Sequence, residues 1–404
     1  MVVDCLRLDY SKEIWKILSK YDFFKMDYAV TTAPWTIPAH VSMLTGLYPS
    51  EHGVHESKDK KVGKIEFKIK DNLVNDLKMR GYTTYLFTAN AFLTERFGFG
   101  DFDYIYFNSN IPDRLFLKPD ELRYLTEETL IKSPAHVMIS ILKNKKLKLL
   151  FKGLSVFIYR KFYSFVGGWP KEKGISKIIK RIKKTDFKES FFIFMNVMEL
   201  HEPYKSNNVR AEYEAQLRYL KGKFKKLMEV LNDKGILDSS LVIVTSDHGQ
   251  LLGERGRGGH GVFLDDELIK VPFFIKVPNE RVTKFDGYIS HVSLRKFINK
   301  FVDGITDFSL LFSKVAFAES FGSFSSKIVD PKLERHRIAV FYKGCKGIYD
   351  VESRRFEEIN CPKLESELKI IVEEFLRKAK QRRKIIIENN LKEKIRKLKK
   401  IKKI

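Results

Sequence analysis

Apolar and polar positions alternate along most of the chain with two different periods. Short apolar runs rich in β-branched and aromatic residues predict buried strands at Tyr82–Ala89, Phe191–Val197 and Leu241–Thr245. A longer run between the last two, Ala211–Asn232, predicts a helix that crosses back. This alternation predicts an α/β fold with a mainly parallel central sheet flanked by helices.

Shorter elements continue the pattern towards both ends of the chain. Lys12–Lys20 predicts a short helix, and Asp71 predicts the N-terminal cap of a helix that ends at Gly81. Further strands are predicted at Phe24–Val30, Phe273–Val277, Val315–Ser320, Ile338–Tyr342, Gly347–Asp350 and Phe356–Ile359. The last long run, Leu364–Ile404, is predicted to be helical, with an apolar stripe at Leu368, Val372, Phe375 and Leu376.

Polar residues follow three of the predicted strands. Asp4 follows the first short strand, Asn90 follows the strand Tyr82–Ala89, and Asp247 follows the strand Leu241–Thr245. Ligands of open parallel sheets bind at the carboxyl ends of the strands. We therefore expect these three side chains to share one site.

The stretch Thr31–His55 carries a candidate nucleophile. Pro34 and Pro38 bracket Thr36, so an extended entry is predicted to turn into a helix at about Ala39. A hydroxyl and the free N–H groups of a helix start would then meet at one point, which suits a tetrahedral oxyanion. A hydroxyl is a weak nucleophile unless a base or a metal ion activates it, so this prediction requires a metal site elsewhere in the chain.

Composition is that of a folded protein with an uneven charge distribution. The chain has 404 residues, 44% of them hydrophobic, and a formal net charge of +24. Residues 141–184 contain fourteen Lys or Arg against one Glu, and residues 364–404 contain fifteen against six. The rest of the chain is close to neutral, so the basicity belongs to two appendages.

The two basic segments admit several interpretations. Leu149–Val166 mixes aromatic and basic residues, which fits a helical insertion packed over the domain or an amphipathic helix on anionic lipid. Nucleic acid is a weaker alternative because no binding motif accompanies the charge. Leu391–Ile404 fits a frayed or surface-bound basic tail, or else a packed helix. Peripheral contact with an anionic membrane through 141–184 and 364–404 is thus one of the alternatives, and we expect no specific nucleic acid.

Cysteine usage and hydropathy suggest a compartment. Cys5, Cys345 and Cys361 form an odd and widely spaced set, which predicts a reducing compartment with at most an incidental disulfide. The sequence shows no secretory signal and no uncharged apolar run long enough to span a membrane. We therefore predict a cytoplasmic protein, peripheral at the inner membrane face.

Four segments together carry a resemblance to a known family. They are Val3–Asp9, the nucleophile stretch with Thr36-x-Pro38-x-His40 and Thr45-Gly46, Leu241–Gly249, and Gly258–Pro272. In this order they resemble the sulfatase and alkaline-phosphatase-like superfamily, whose sulfatase form reads Cys/Ser-x-Pro-x-Arg followed by Thr-Gly. The resemblance covers roughly residues 1–110 and 187–350. It implies a catalytic domain over 1–362, with a basic aromatic insertion at about 115–185 and a small C-terminal antiparallel sheet at about 315–362, followed by a basic helical tail over 363–404.

The resemblance also implies a metal site. Asp4, Asp247, His248 and the Thr36 hydroxyl match the family's ligand positions and would hold one hard divalent cation. Carboxylates with one imidazole suit Mn²⁺, Mg²⁺, Ca²⁺ or Zn²⁺ about equally. A single Asp-His pair after a strand could instead cap the next helix, but its combination with Asp4 and Thr36 favours a metal.

Further residues are assigned by the same resemblance. His201 matches a histidine that contacts the ester and protonates the leaving group, and His260 matches a residue that touches the anionic group. His40 stands at the position of the sulfatase arginine, where it would orient Thr36 or contact substrate oxygens. Asn90 would donate to an ester oxygen. The alternative for each of these residues is a purely structural role.

Two departures from the sulfatase pattern determine the predicted chemistry. Thr36 cannot form the formylglycine aldehyde of true sulfatases, and threonine is typical of the phosphoryl-transfer branch. Cys5 stands where sulfatases usually have a second aspartate, which favours one metal. We predict an ester hydrolase that cleaves phosphate, less readily sulfate, esters through a phospho-threonine. The alternatives are a membrane-associated phosphoethanolamine- or glycerophosphate-type transferase and a non-catalytic anion-binding relative.

Overall fold

The computed structural model describes residues 1–57, 65–108, 171–322 and 333–401, with 121, 147–152, 154–155 and 158 between the second and third ranges. Most of the predicted aromatic insertion at about 115–185, including most of Leu149–Val166, lies outside the described residues. So do the last residues of the predicted tail.

A seven-stranded sheet forms the centre of the described part of the chain. Its order is β2-β11-β7-β1-β6-β4-β5, and the five strands from β7 to β5 run parallel. Only β11 and β2, at one edge, are antiparallel to their neighbours. The strands are β1 Val2–Val3, β2 Phe24–Lys25, β4 Thr83–Thr88, β5 Tyr104–Phe107, β6 Phe191–Val197, β7 Val242–Thr245 and β11 Phe273–Lys276. The predicted mainly parallel sheet is confirmed.

Helices cover both faces of this sheet. Outside 109–170, the α-helices of the described residues are α1 Lys12–Leu18, α2 Thr36–Thr45, α3 Pro49–His52, α4 Leu73–Met79, α5 Ile175–Lys184, α6 Val209–Asp233, α7 Ile236–Ser239, α8 Asp266–Ile269, α9 Ser293–Val302 and α10 Glu365–Ile401. One apolar cluster joins α2, α4 and α9 to the sheet, and another joins α1, α5 and α6 to its other face. No helix of the described residues is long and apolar enough to cross a membrane.

Smaller sheets complete the described fold. β3 Ala29–Val30 lies between β10 Lys270–Val271 and β12 Tyr288–Ser290, and β12 also pairs with β13 Phe312–Ser313. β8 Leu251–Leu252 pairs with β9 Gly258–Gly259. The predicted C-terminal antiparallel sheet is formed by β14 Val315–Ser320, β15 Arg337–Tyr342, β16 Cys345–Asp350 and β17 Arg355–Ile359.

Helix α10 and a disulfide hold the C-terminal sheet. Leu368, Val372 and Phe375 of α10 are buried against it, so the predicted apolar stripe is packed at these positions. Cys345 of β16 is bonded to Cys361, sixteen residues later. Cys5 is the free cysteine.

Three local predictions are corrected by the structure. Helix α2 begins at Thr36 and not at about Ala39, because Pro38 falls inside the first turn, where its missing N–H is not needed. The cap of α4 is Asn72 and not Asp71, since the Asn72 side chain accepts the N–H of Asn75 at 3.1 Å. Phe24–Val30 is not one strand but the strands β2 and β3, which belong to different sheets.

Candidate active site

The carboxyl ends of β1, β4, β6 and β7 carry the predicted polar residues. Asp4 directly follows β1 and its N–H donates to the carbonyl of Val197, the last residue of β6, at 2.8 Å. Asp247 comes two residues after β7, and Asn90 two residues after β4. The expected common site at this edge of the sheet is therefore present, and all three side chains are buried.

Two amides position the Asp4 carboxylate. Asn90 Nδ2 donates to Asp4 Oδ2 at 3.1 Å, and Asn196 Nδ2 donates to the same oxygen at 3.2 Å. Asn90 thus contacts an acid of the site, whereas the sequence predicted a contact with an ester oxygen. Asn196 was not predicted, although a single amide within the apolar run Phe191–Val197 is a signal that could have found it.

The Asp247 carboxylate has one satisfied and one unsatisfied oxygen. Oδ1 accepts the N–H groups of His248 at 3.0 Å and Cys5 at 3.4 Å. Oδ2 is buried and has no hydrogen-bond partner among the described residues. His248 Nε2 lies 3.4 Å from this oxygen and 3.9 Å from Asp4 Oδ1. Buried polar atoms are rarely left without a partner, so this oxygen indicates a group that the chain itself does not supply.

Burial and neighbouring charges shift the pKa values of the groups around this oxygen. Burial and the negative charge of Asp4 raise the pKa of Asp247 well above its ordinary value. Burial lowers the pKa of His248 to about 4, which keeps its imidazole neutral. The Nδ1–H of His248 donates to the Gly249 carbonyl at 2.8 Å, so Nε2 is the nitrogen left free for a ligand.

Thr36 lies at the first turn of α2, beside this group. Its Oγ1 is 3.4 Å from His248 Nε2, and the residue is only 2% exposed. His40, one turn later, donates its Nδ1–H to the Thr36 carbonyl at 2.9 Å, and its Nδ1 lies 3.7 Å from Asp247 Oδ2. Burial lowers the pKa of His40 to about 4. His40 is therefore a neutral residue that is hydrogen-bonded to the turn of Thr36.

His201 and His260 lie on the outer side of the site and are partly exposed. The rings of His260 and His248 stack with centroids 4.5 Å apart, and those of His260 and His201 are 4.9 Å apart. Burial, with the charges of His248 and His201, holds the pKa of His260 well below its ordinary value. The structure thus brings all the predicted site residues together at one place.

A comparison with known proteins identifies the family of this chain. The family model "Sulfatase" matches residues 19–301, which is more than half of the chain. The chain belongs to the sulfatase family. Members of this family are ester hydrolases, so the predicted enzyme class is confirmed. No curated protein matches the chain.

Solved structures share the sulfatase fold at low sequence identity. The 2-O GAG sulfatase BT1596 aligns with a TM-score of 0.60 and 11% identity over 94% of this chain and 91% of its own. The phosphonate monoester hydrolase of Agrobacterium radiobacter aligns with a TM-score of 0.57 and 14% identity over 95% of both chains. The phosphonate monoester hydrolase SpPMH from Silicibacter pomeroyi aligns with a TM-score of 0.55 and 14% identity over 94% of both chains. These similarities confirm the predicted fold.

The family is generally metal-dependent, and the residues present fit a divalent cation. Asp4, Cys5 and His248 each offer a ligand atom within one small group. The unpartnered Oδ2 of Asp247 faces the same place. Carboxylates with one neutral imidazole are a common ligand set for divalent cations, and a cation would remove the repulsion between Asp4 and Asp247.

Cys5, like Asn196, is a residue that the sequence analysis did not assign to the site. Its Sγ lies 3.3 Å from Asp4 Oδ1 and 3.9 Å from His248 Nδ1. Its backbone is in the left-handed region, with a φ of 62°, which is uncommon for a residue other than glycine. Burial, with the negative charges of Asp4 and Asp247, raises the pKa of the Cys5 thiol. The thiol is therefore protonated in the cation-free protein.

Proposed function

We propose that the chain is a metal-dependent phosphoester hydrolase with Thr36 as its nucleophile. The observation that carries the proposal is the position of the Thr36 hydroxyl, 3.4 Å from His248 Nε2 beside the unpartnered Asp247 carboxylate oxygen. Asp4, Asp247, His248 and Thr36 Oγ1 would hold the cation. When bound, it would lower the pKa of the threonine hydroxyl and neutralise charge on the ester.

The nucleophile favours phosphorus over sulfur as the attacked atom. Thr36 carries a secondary alcohol, which cannot be oxidised to the aldehyde that true sulfatases use. Phosphonate monoester hydrolases are among the proteins with the same fold, which is compatible with attack at phosphorus. We therefore place phosphate and phosphonate esters ahead of sulfate esters as substrates.

The reaction follows from the order of groups across the site. The Thr36 hydroxyl releases its proton to solvent, and its oxygen forms a bond to phosphorus while the bond from phosphorus to the alcohol oxygen breaks on the opposite side. The N–H groups at the start of α2 face the phosphoryl oxygens. His260 stacks on His248 at the edge of this place, and His201 supplies the proton to the departing alcohol. Water then cleaves the phospho-threonine and regenerates the hydroxyl.

The test is ester hydrolysis with matched variants of one helix. Aryl phosphodiester, phosphonate monoester, phosphomonoester and sulfate ester are compared with Mn²⁺, Mg²⁺, Ca²⁺ or Zn²⁺ added. We expect phosphoester turnover that EDTA abolishes and that Thr36→Ala reduces by at least about 10³-fold, as for removal of other nucleophiles. Thr45→Ala is the control, because the Thr45 hydroxyl lies at the far end of α2 and donates to the Val41 carbonyl.

Mass spectrometry supplies a second readout. A phosphoryl group on Thr36 is expected after rapid acid quenching of the wild type during turnover. Turnover of the sulfate ester alone, or full activity in Thr36→Ala, would contradict the proposal. A phosphorylated Thr36 that is released only when an acceptor alcohol is added would identify a transferase.

A further inference from the structure

The central sheet is open between two of its inner strands. β1 lies between β6 and β7, and in the described part of the chain only Val2 and Val3 of β1 are in register with these neighbours. The first part of β6, Phe191–Phe194, pairs with β4 on its other side and extends beyond β1. We name the space between Phe191–Phe194 of β6 and Leu241–Ile243 of β7 the strand slot.

A cavity occupies the strand slot. Its volume is about 710 Å³, which lies within the range of about 300–1,000 Å³ that is usual for ligand sites. Helices α2, α4 and α9 line it on one face of the sheet, and α6 and α7 line it on the other. The lining side chains on both faces are mainly apolar and include Leu77, Ile298, Leu231 and Leu237. An occupant must therefore present apolar groups to both faces.

The strand residues at the slot are less buried than their position in the sheet would suggest. Phe191, Phe192 and Ile193 of β6 are partly exposed, and so are the residues Leu241–Ile243 at the start of β7. Inner parallel strands that are covered by helices on both faces are normally buried as continuous apolar runs. The later residues of both strands, which lie beside β1, are buried. The exposure is thus confined to the part of the two strands that β1 does not reach.

Backbone groups of β6 point into the slot. The Asp4 N–H donates to the Val197 carbonyl at 2.8 Å, so Val197 directs its backbone towards β1. Every second residue of a strand directs its N–H and C=O groups to the same side. Ile193 and Phe191 therefore direct their backbone groups into the strand slot.

The opposite wall of the slot has the same character. The Met1 amine donates to the Ile243 carbonyl at 2.8 Å, and the Thr245 N–H donates to the Met1 carbonyl at 3.1 Å. By the same alternation, the Ile243 N–H and the backbone groups of Leu241 point into the slot. Buried N–H and C=O groups require hydrogen-bond partners, which an acyl chain lacks and a peptide backbone supplies.

We propose that the strand slot binds an extended apolar peptide strand of a partner chain, which pairs in parallel with β6 and β7. A strand of about four residues, roughly 13 Å long, would cover Phe191–Phe194 with its carboxyl end next to Met1. It would hold β1 from the end opposite Asp4 and so stabilise the strand that carries this carboxylate. The proposal requires neither a cation nor a nucleophile and is independent of the proposed function.

The test uses one peptide and a matched control. The peptide has two lysines for solubility and then four apolar residues, Lys-Lys-Ile-Val-Ile-Val, with both ends blocked. In the control, proline replaces the third apolar residue and removes one N–H from the ladder. We expect the apolar peptide at saturation to raise the thermal midpoint of the wild type by at least about 2 °C, and the control to leave it unchanged.

Hydrogen exchange measured by mass spectrometry locates the bound peptide. At a peptide concentration of about ten times Kd, exchange of the amides in 191–194 and 241–243 should slow by about tenfold. The amides of β15, which belongs to the separate C-terminal sheet, serve as the reference and should not change.

Two variants tie the effect to the cavity. Ile298 and Val302 of α9 line the cavity and are partly exposed, so tryptophan at either position narrows the slot without replacing a fully buried residue. Ile298→Trp and, independently, Val302→Trp should each abolish the response to the peptide. A response that persists in both folded variants would overturn the proposal.

Other occupants give different results. No response to the apolar peptide, or an equal response to the proline control, would overturn the proposal. Protection by decanoate in place of the peptide would identify an acyl-chain site. Protection only by the same four residues joined directly to Met1 would show that the strand does not come from a partner chain. Either of these last two results would also overturn the proposal.

Discussion

Glu199 provides a quantitative test of how the site is held together. It lies between the end of β6 and His201, and its Oε1 accepts three N–H groups, from Lys173 at 3.0 Å, Gly174 at 3.0 Å and Ile175 at 2.9 Å. These are the N–H groups at the start of α5, and all of the hydrogen bonds are buried. The Gly174 N–H also donates to Glu172 Oε1 at 3.0 Å, so Glu199→Ala would leave two buried donors, on Lys173 and Ile175, without an acceptor.

The magnitude follows from these two hydrogen bonds. Each buried donor left unsatisfied costs about 1–3 kcal/mol, so the two together cost about 2–6 kcal/mol. The Glu199 charge also favours the charged form of the Lys173 ammonium, and its removal acts in the same direction. We therefore expect the free energy of unfolding to fall by about 2–6 kcal/mol.

Glu199→Gln is the matched control for this prediction. It keeps an acceptor oxygen for the same N–H groups and removes the charge. Burial and the charge of Glu172 raise the pKa of Glu199 to about 7, so the wild-type side chain is already partly protonated at neutral pH. We expect Glu199→Gln to lose about 1 kcal/mol, the net worth of a typical hydrogen bond.

Urea unfolding followed by tryptophan fluorescence measures both variants. With a slope of about 3 kcal/mol per M, Glu199→Ala should lower the midpoint by at least about 0.7 M and Glu199→Gln by about 0.3 M. Equal midpoints for Glu199→Ala and the wild type would show that these hydrogen bonds do not hold α5 to the segment that carries His201. A larger loss in Glu199→Gln than in Glu199→Ala would equally refute the reasoning.

Three further outcomes test other parts of the structure. Asp247→Asn removes the carboxylate whose pKa is raised by burial and by Asp4, so the thermal midpoint of the EDTA-treated protein should rise. The additional increase in the midpoint on adding Mn²⁺ should be smaller than in the wild type. A lower midpoint of the variant in EDTA would contradict this prediction. Burial lowers the pKa of His40 to about 4 and that of His291 to about 3, so the unfolded chain binds more protons than the folded chain below about pH 6.5. The contribution of these two residues to the free energy of unfolding therefore falls from about pH 6.5 towards pH 4. His291→Gln should make the urea midpoint depend less on pH over this range, and an unchanged pH dependence would contradict the assignment. Deletion of residues 391–404 should weaken flotation with anionic liposomes at low salt and change the thermal midpoint by no more than a few degrees. Flotation that changes neither with salt concentration nor with the deletion would refute electrostatic membrane contact.

Much of the sheet could be predicted from local pattern because its inner strands are buried on both faces. Phe191–Val197, an inner strand of the central sheet, is predicted to the residue, and so is Val315–Ser320 in the C-terminal sheet. The prediction of a single strand over Phe24–Val30 was wrong because β2 pairs with β11 whereas β3 pairs with β10 and β12. The division into two strands depends on these partners, which are distant in sequence. The predicted N-terminal cap of α4 was wrong because Asp71 and Asn72 are both favourable cap residues. Asn72 is the cap, and Asp71 forms an ion pair with Arg295.

The candidate site was less predictable because its contacts depend on the pairing of strands. Asn196 reaches Asp4 only because β6 lies beside β1 in a register that pairs Val2 with Asn196. Cys5 was interpreted as a departure that removes a ligand from the family pattern. Its left-handed backbone and its position beside His201 and His260 are properties of the folded chain, and no local pattern carries them.

The nucleophile helix is also supported from the far end of the chain. Arg383 of α10 donates to the His52 carbonyl at 2.6 Å, and His52 Nε2 lies 3.1 Å from the Ser42 hydroxyl of α2. A Cβ on Gly53 would lie 2.2 Å from the Arg383 guanidinium, so this approach requires glycine. Ser42 is fewer than two turns from Thr36, and α10 therefore contributes to the position of the hydroxyl through His52. The basic helix α10 therefore helps to hold the site in place, independently of any surface that its final residues contact.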